Sequence, residues 1–270
     1  MSRVVDWQSV SLLGIDVGYS DKKKTTGVAV FKNGGLIEPF CVGSSGTARR
    51  EAIEKYAPFD EIALDGPILP HNSSETSRRY CEYSLVGGLF EKRCKLGLSH
   101  YGEGLKLRRA AASIAGYGFL SRKKQGDLPI IEAFPNAFLG VLIEGQAYEA
   151  FGKISRGKKS DVFYRYALKH GKFDALLEIL SCRDESLIKG LEQEATISTQ
   201  EGHERRAALI CLLTAACALS GKCELIGDKA GGLICLPPMA IWQPWATEAL
   251  AMRQSKLTTH RHFKPTRDSL

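Results

Sequence analysis

The first third of the chain alternates short apolar runs with turn residues, a pattern that predicts β-strands. The predicted strands are Val10–Val17, Thr26–Phe31, Leu36–Val42 and Glu61–Asp65. The segment Lys32-Asn33-Gly34-Gly35 predicts a hairpin turn, because Asn and Gly accept positive φ. Helix-capping residues at 44–47 favour a helix over Ala48–Tyr56. The order β-β-β-α-β, with the fourth strand parallel to the first, predicts a mixed sheet.

The rest of the chain is mostly helical in pattern and contains one apolar strand. Leu128–Phe134 has the continuous apolar character of a central parallel strand, and Glu224–Leu236 is typical of a terminal hairpin. Helices are predicted over Thr76–Arg93, Lys106–Leu120, Asn136–Leu142, Ser160–His170, Lys172–Leu180, Asp184–Glu194 and Glu201–Ser220. We therefore expect an α/β fold with the order β-β-β-α-β-α-β-α, in a single domain over residues 1–252. Helical insertions are expected at about 68–127 and 145–200, and a loose basic tail over 253–270.

Composition and charge narrow the class of protein only slightly. The 270 residues are 44% hydrophobic and 25% charged, as in an ordinary globular protein. The net charge is +7, of which the last 18 residues, with five basic residues and one acid, carry +4. The remainder is only mildly basic, so overall charge alone is weak evidence for a nucleic-acid partner.

Cysteine spacing and hydropathy predict the compartment. None of the eight cysteines forms a Cys-x-x-Cys pair, which argues against a zinc finger, and most have the apolar neighbours typical of reduced core thiols. No long apolar stretch follows the N-terminus as in a signal peptide. The longest apolar run, Ala207–Leu219, is too short to cross a bilayer. We therefore expect a soluble, cytoplasmic protein.

Three acidic residues interrupt segments that otherwise read as apolar strands. They are Asp16, Asp65 and Glu132. Carboxylates are rarely buried unless they are paired or bound to a metal, so the three predict one acidic cluster that holds Mg²⁺ or Mn²⁺. The alternatives are turn formation for Asp16 and Asp65, and a buried salt bridge to an arginine for Glu132.

The late helix and four basic residues add candidates to this cluster. His203 and Glu204 share the first turn of the predicted helix Glu201–Ser220, so both can face one site. Glu204 also complements the helix dipole, which is its alternative role. The basic candidates for phosphate contacts are Arg78, Arg79, Lys158 and Lys159, each of which can equally be ordinary surface charge.

A set of short motifs, in a fixed order, resembles a known family. The motifs are Gly-Ile-Asp-Val-Gly, Leu-Asp-Gly-Pro-Ile, Arg79-Tyr80-Cys81-Glu82, Ile-Glu-Ala-Phe-Pro and His-Glu-x-x-Ala-Ala-Leu-x-Cys-x-Leu-Thr-Ala. Over about residues 10–237 the chain resembles the family of predicted ribonuclease H-like nucleases, and its late helix is similar to the His-x-x-x-Asp-Ala helix of RuvC-type resolvases. The resemblance implies a ribonuclease H fold in which Asp16, Asp65 and Glu132 bind divalent metal.

One departure from the family pattern affects the expected metal site. Ala207 stands where the resemblance leads us to expect an aspartate in the late helix. The fourth ligand is therefore either shifted one turn, to Glu204, or lost.

Three functions follow as expectations. The first is a metal-dependent nuclease that hydrolyses the phosphodiester bonds of DNA or RNA with one or two Mg²⁺ or Mn²⁺ ions. The second is an ATP phosphotransferase of the actin-like or sugar-kinase type, with the Gly-Asp-Lys-Ala-Gly-Gly segment at 227–232 as a nucleotide loop. The third is a catalytically degenerate ribonuclease H-like binding module, which the alanine at position 207 favours.

Overall fold

The computed structural model describes residues 5–18, 23–43, 45–68, 79–94, 102–124, 127–151, 159–228 and 231–259. These residues form an α/β fold built on one seven-stranded mixed sheet. The strands are β1 (Ser11–Asp16), β2 (Thr26–Lys32), β3 (Gly35–Val42), β4 (Glu61–Asp65), β5 (Ile131–Ala133), β6 (Glu224–Asp228) and β7 (Gly232–Leu236). Their order across the sheet is β3-β2-β1-β4-β5-β7-β6.

The pairing of the strands confirms the predicted mixed sheet. β2 is antiparallel to both β1 and β3, and the Asn33-Gly34 turn that joins β2 to β3 has φ values of 54° and 67°. β4 is parallel to β1, and β5 is parallel to β4 and β7. Strands β1, β4 and β5 therefore run in the same direction, and their carboxyl ends meet at one edge of the sheet, where ligands bind in open α/β folds.

Helices cover both faces of the sheet. They are α1 (Gly46–Glu54), α2 (Tyr80–Leu85), α3 (Gly88–Arg93), α4 (Gly102–Ala115), α5 (Pro135–Gly140), α6 (Gly145–Ala150), α7 (Lys159–Lys169), α8 (Lys172–Leu180), α9 (Glu185–Thr196), α10 (Gln200–Leu219) and α11 (Pro244–Thr259). Because side chains alternate along a strand, Leu12 packs into one core with α10, whereas Leu13 and Ile15 pack into a second core that includes Ile53 of α1 and Ile114 of α4.

The backbone of helix α10 packs directly against the backbones of β1 and β2. A β-carbon on Gly14 would come within 2.2 Å of the amide nitrogen of Leu212, and one on Gly27 within 2.1 Å of the carbonyl oxygen of Glu204. Only glycine allows this approach. Gly27 pairs with Asp16 across β1 and β2, so the same contact brings the first turn of α10 beside the end of β1.

Several predicted elements differ in extent from those observed. The helix predicted over Thr76–Arg93 is two short helices, α2 and α3, because the chain turns at Gly87, whose φ is 100°. The helix predicted over Lys106–Leu120 begins earlier, at Gly102, and its last five residues, Gly116–Leu120, form a 3-10 helix. The strand predicted over Leu128–Phe134 is only three residues long.

The prediction of a loose tail from residue 253 is wrong for its first seven residues. They belong to α11, and Arg253 donates a hydrogen bond of 2.9 Å to the carbonyl oxygen of Tyr83. Residues 260–270 lie outside the described residues. No helix in the described ranges has the length and apolar character that a membrane span requires. All eight cysteines are free thiols, and six of them are buried.

Candidate active site

A cavity of about 240 Å³ brings most of the predicted site residues together. Asp16, Asp65, Glu132 and His203 all line it, together with Arg79. The first three come from the ends of β1, β4 and β5, and His203 comes from the first turn of α10. The predicted convergence of residues that are far apart in sequence is therefore present at the carboxyl edge of the sheet.

Three carboxyl groups are in direct contact at this edge. Asp16 and Asp65 are paired residues of the parallel strands β1 and β4, so their side chains leave the sheet on the same face. The side chain of Asp16 lies within hydrogen-bonding reach of the side chains of both Asp65 and Glu204. Two carboxyl groups can bond in this way only when one of them carries a proton.

The pKa values of these groups reflect their burial and mutual repulsion. Burial, followed by contact with Glu204 and Asp65, raises the pKa of Asp16 well above its ordinary value. Burial and the charge of Glu132 raise the pKa of Asp65 to about 7. The neighbours that act most strongly on Asp16 are themselves acidic, so the cluster retains protons that exposed carboxyl groups would release.

Glu132 lines the same cavity but is bound to an arginine. It pairs with Leu64, whereas Asp65 pairs with Ala133, so Glu132 leaves the sheet on the opposite face from Asp65. Arg79 Nη1 donates to Glu132 Oε2 at 2.6 Å, and Nη2 donates to Oε1 at 2.7 Å. The structure thus gives Glu132 the buried salt bridge that was the alternative to a metal-binding role.

The two basic candidates that lie among the described residues, Arg79 and Lys159, each donate hydrogen bonds to other groups of the protein. Arg79 is 5% exposed, and its Nε and Nη2 also donate to Glu82 Oε1 at 3.2 Å. Lys159 Nζ donates to the carbonyl oxygens of Lys92 and Arg93, at 3.2 and 2.6 Å, and so caps the end of α3. Neither residue presents an unoccupied cation to a phosphate. The other two candidates, Arg78 and Lys158, lie outside the described residues.

His203 is oriented by an aspartate that the sequence analysis missed. His203 Nδ1 lies 3.1 Å from Asp161 Oδ1, and this contact raises the pKa of the imidazole. The same Asp161 oxygen accepts bonds from Arg206 Nε at 2.9 Å and Nη2 at 2.7 Å. Asp161 lies in α7, 42 residues before His203. No local spacing rule connects the two residues, so only the packing of α7 against α10 could reveal the pair.

The predicted nucleotide loop at 227–232 is described in part. Lys229 and Ala230 lie outside the described residues. Gly231 N donates to Asp228 Oδ1, and the Gly231 carbonyl oxygen accepts from Arg79 Nη1 at 3.4 Å. Among the described residues of this segment, Gly227 and Asp228 end β6, Gly232 begins β7, and Gly231 supports Arg79.

The donor chemistry of the cavity suits a hard divalent cation, although its geometry is not that of a formed metal centre. Among the described residues, no three or more His, Cys, Asp or Glu side chains are arranged to hold one metal ion. The carboxyl groups instead bond to one another. Their oxygens are the ligands that Mg²⁺ prefers, and a bound cation would replace the protons that now connect Asp16 to its neighbours.

Comparison of the chain with protein-family models, with curated proteins and with solved structures found no match. The fold and the site define the chain as an α/β protein with a buried acidic cavity at the carboxyl edge of a mixed sheet.

The raised pKa of Asp65 leads to a prediction about stability and pH. Because this pKa is about 7 in the folded protein and 3.8 ordinarily, the folded state binds more protons than the unfolded state between these values. In metal-free buffer the free energy of unfolding should therefore fall by about 2–4 kcal/mol as pH rises from 5 to 8. Burial raises the pKa of Glu61 to about 7 as well, which adds to the same trend.

The variant Asp65→Asn should reduce this pH dependence, leaving the parts that Glu61 and Asp16 contribute. Urea denaturation of both proteins at pH 5 and pH 8 measures the difference. Identical pH slopes in the two proteins would show that Asp65 titrates normally.

Proposed function

We propose that this chain is a divalent-metal-dependent nuclease with a ribonuclease H-like fold, which hydrolyses phosphodiester bonds of nucleic acid. The observation that carries the proposal is the contact of Asp16 with Glu204 and with Asp65, which lines the same cavity as Asp16. Asp16 and Glu204 are buried and Asp65 is partly buried, and acidic groups gathered in this way destabilise the folded state unless a cation joins them. Such an arrangement is expected where a protein keeps a site for a metal ion.

The arrangement of the strands supports the fold part of the proposal. The meander of β1, β2 and β3 is followed by α1 and by β4, which is parallel to β1. This is the β-β-β-α-β order that the resemblance to ribonuclease H-like nucleases implies. The two outer strands β6 and β7 extend the sheet beyond β5.

The position of Ala207 supports a shifted acidic ligand rather than a lost one. Ala207 lines the cavity, and Glu204 lies three residues earlier on the same face of α10. Glu204 contacts Asp16 directly, so α10 still supplies one carboxyl group to the site. Asp16, Asp65 and Glu204 would hold the ion, while Glu132, on the opposite face of the sheet, stays paired with Arg79.

Each part of the site has a separate role in the proposed reaction. A bound Mg²⁺ or Mn²⁺ ion would supply charge neutralisation for the phosphate and a more acidic water. His203, held by Asp161, is placed to exchange a proton at the cavity wall. Arg79 bonds to both Glu132 and Glu82 and offsets one of their two negative charges, which lowers the negative charge that an anionic substrate meets.

Metal binding and cleavage test the proposal together. With labelled single-stranded DNA and RNA at pH 8, we expect cleavage in Mn²⁺ or Mg²⁺ and none in EDTA. Mn²⁺ should raise the melting temperature at pH 8, by the equivalent of about 2–3 kcal/mol at a hundredfold excess over its Kd. The shift should be lost at pH 5, where the carboxyl groups hold their protons.

The exposed Asp127 offers a matched control, since Asp127→Asn should keep the full Mn²⁺ shift. Absence of both cleavage and a Mn²⁺ shift would reject the nuclease and favour a binding module. Stabilisation by millimolar ATP without cleavage would favour the phosphotransferase.

A further inference from the structure

Three of the eight thiols come together where helix α10 meets strands β6 and β7. Cys217 lies near the end of α10, Cys223 directly precedes β6, and Cys235 lies in β7. Cys235 pairs with Leu225, two residues after Cys223, and the thiols of Cys223 and Cys235 lie within hydrogen-bonding reach of each other. Of the three, these two are therefore placed to react directly with one another.

Solvent reaches this group of thiols through Cys223. Cys223 is partly exposed, whereas Cys217 and Cys235 are both 0% exposed. A small oxidant therefore meets Cys223 first, and the buried Cys235 reacts only with what forms on Cys223.

The surroundings of Cys223 favour its thiolate, which is the form that reacts with oxidants. Contact with the Cys235 thiol lowers the pKa of Cys223, and the charge of Lys123 acts in the same direction. Together they outweigh burial and the charges of Glu224 and Glu61, which oppose them. The pKa of each of the other seven thiols is raised instead. Cys223 is thus the thiol that loses its proton most readily.

From the placement of these two thiols we propose that Cys223 and Cys235 form an oxidation site, at which hydrogen peroxide joins them in a disulfide. The residues that line the acidic cavity include neither cysteine, so the inference is independent of the proposed nuclease activity.

The oxidation takes two steps. Cys223 Sγ attacks one oxygen of the peroxide, so that an S–O bond forms and the O–O bond breaks. The hydroxide that leaves takes up the proton that Cys223 had lost, and Cys223 becomes a sulfenic acid. Cys235 Sγ then attacks the sulfur of Cys223, the S–S bond replaces the S–O bond, and the departing hydroxide leaves as water with the Cys235 proton. Two thiols and one hydrogen peroxide thus give one disulfide and two waters.

The backbone around Cys223 allows the two sulfur atoms to close to the roughly 2.0 Å of a disulfide. Cys223 lies in a bend between α10 and β6, and the residue pairs of β6 with β7 begin only at Glu224. A small movement of Cys223 therefore leaves the pairing of the two strands intact.

Peroxide treatment of the full chain tests the site without any variant. The folded protein is treated with a small excess of hydrogen peroxide in EDTA, quenched and denatured, and its remaining thiols are titrated. We expect two of the eight thiols to be lost together and to be recovered with dithiothreitol. Peptide mapping by mass spectrometry should find the bond between Cys223 and Cys235.

Three results of this experiment would overturn the proposal. They are loss spread at random over the eight thiols, a bond between Cys217 and Cys223, and no loss under conditions that oxidise the denatured chain.

Three single variants separate the roles of the thiols. Cys223→Ser should slow thiol loss by at least about tenfold, because the remaining thiols hold their protons more tightly. Cys235→Ala should prevent the disulfide and leave a sulfenic acid on Cys223 that dimedone traps. Cys217→Ala removes the neighbouring buried thiol and, as the control, should form the disulfide at the rate of the wild type. Thiol loss at the wild-type rate in Cys223→Ser would contradict the assigned site of attack.

Discussion

Asp16→Asn is expected to reduce Mn²⁺-dependent hydrolysis by roughly 10²–10³-fold or more, the loss that follows removal of one preorganised electrostatic group. Asp16 is the carboxyl group that contacts both Asp65 and Glu204, so its charge lies at the centre of the cluster. An asparagine has the same shape but cannot supply the second anionic oxygen that a hard cation requires. Cleavage rates of the variant and the wild type, at equal Mn²⁺ concentration and pH 8, measure the effect.

Stability should move in the opposite direction in the same variant. Burial and acidic neighbours raise the pKa of Asp16, so its charged form destabilises the folded protein at pH 8. Asp16→Asn removes this cost and should be at least as stable as the wild type in metal-free buffer. The control Asp127→Asn should leave activity unchanged and change stability only slightly, because Asp127 is exposed. Turnover like that of the wild type in Asp16→Asn would reject the catalytic role.

Arg79→Met is expected to cause a large loss of stability, about 3–5 kcal/mol in the free energy of unfolding. The guanidinium forms ion pairs with both Glu132 and Glu82, and all three side chains are at most 4% exposed. Methionine fills similar space but leaves two buried carboxylates without a cation. Urea denaturation at pH 8 measures the loss.

An exposed ion pair on α1 supplies the comparison for Arg79. Arg50 and Glu54 are about half exposed, so Arg50→Met should cost at most about 1 kcal/mol. The double variant Arg79→Met/Glu132→Gln should recover part of the loss, because one of the two orphaned charges is gone. A change in Arg79→Met as small as that in Arg50→Met would show that water or another group already neutralises the pair.

The sequence was sufficient to predict the strands of the first third and the acidic residues that line the cavity at the ends of β1 and β4. Apolar runs and the Asn33-Gly34 turn predicted β1 to β4, and the acidic interruptions predicted Asp16 and Asp65 at one edge. The pairing of β5 with β4 could not be predicted. A shift of one residue decides which face a side chain takes, and Glu132 pairs with Leu64 rather than Asp65. Because this register turns Glu132 to the face opposite Asp65, its carboxylate pairs with Arg79.

The helical parts were harder to predict because their limits depend on contacts between distant residues. The first seven residues of the tail predicted from residue 253 belong to helix α11, and Arg253 donates a hydrogen bond to the carbonyl oxygen of Tyr83. Asp161 is identifiable as the partner of His203 only once α7 packs beside α10. Local sequence propensity contains no information about such distant pairs. The residues that orient a site are therefore harder to predict from sequence than the acidic residues within it.

The absence of side chains at Gly14 and Gly27 limits which substitutions these two positions can accept. The spacing between the sheet and α10 is fixed there by main chain against main chain. Even an alanine at either position would push the helix outward and carry the carboxyl group of Glu204 away from Asp16. The distance between the Glu204 and Asp16 carboxyl groups is therefore set by direct contact between two main chains.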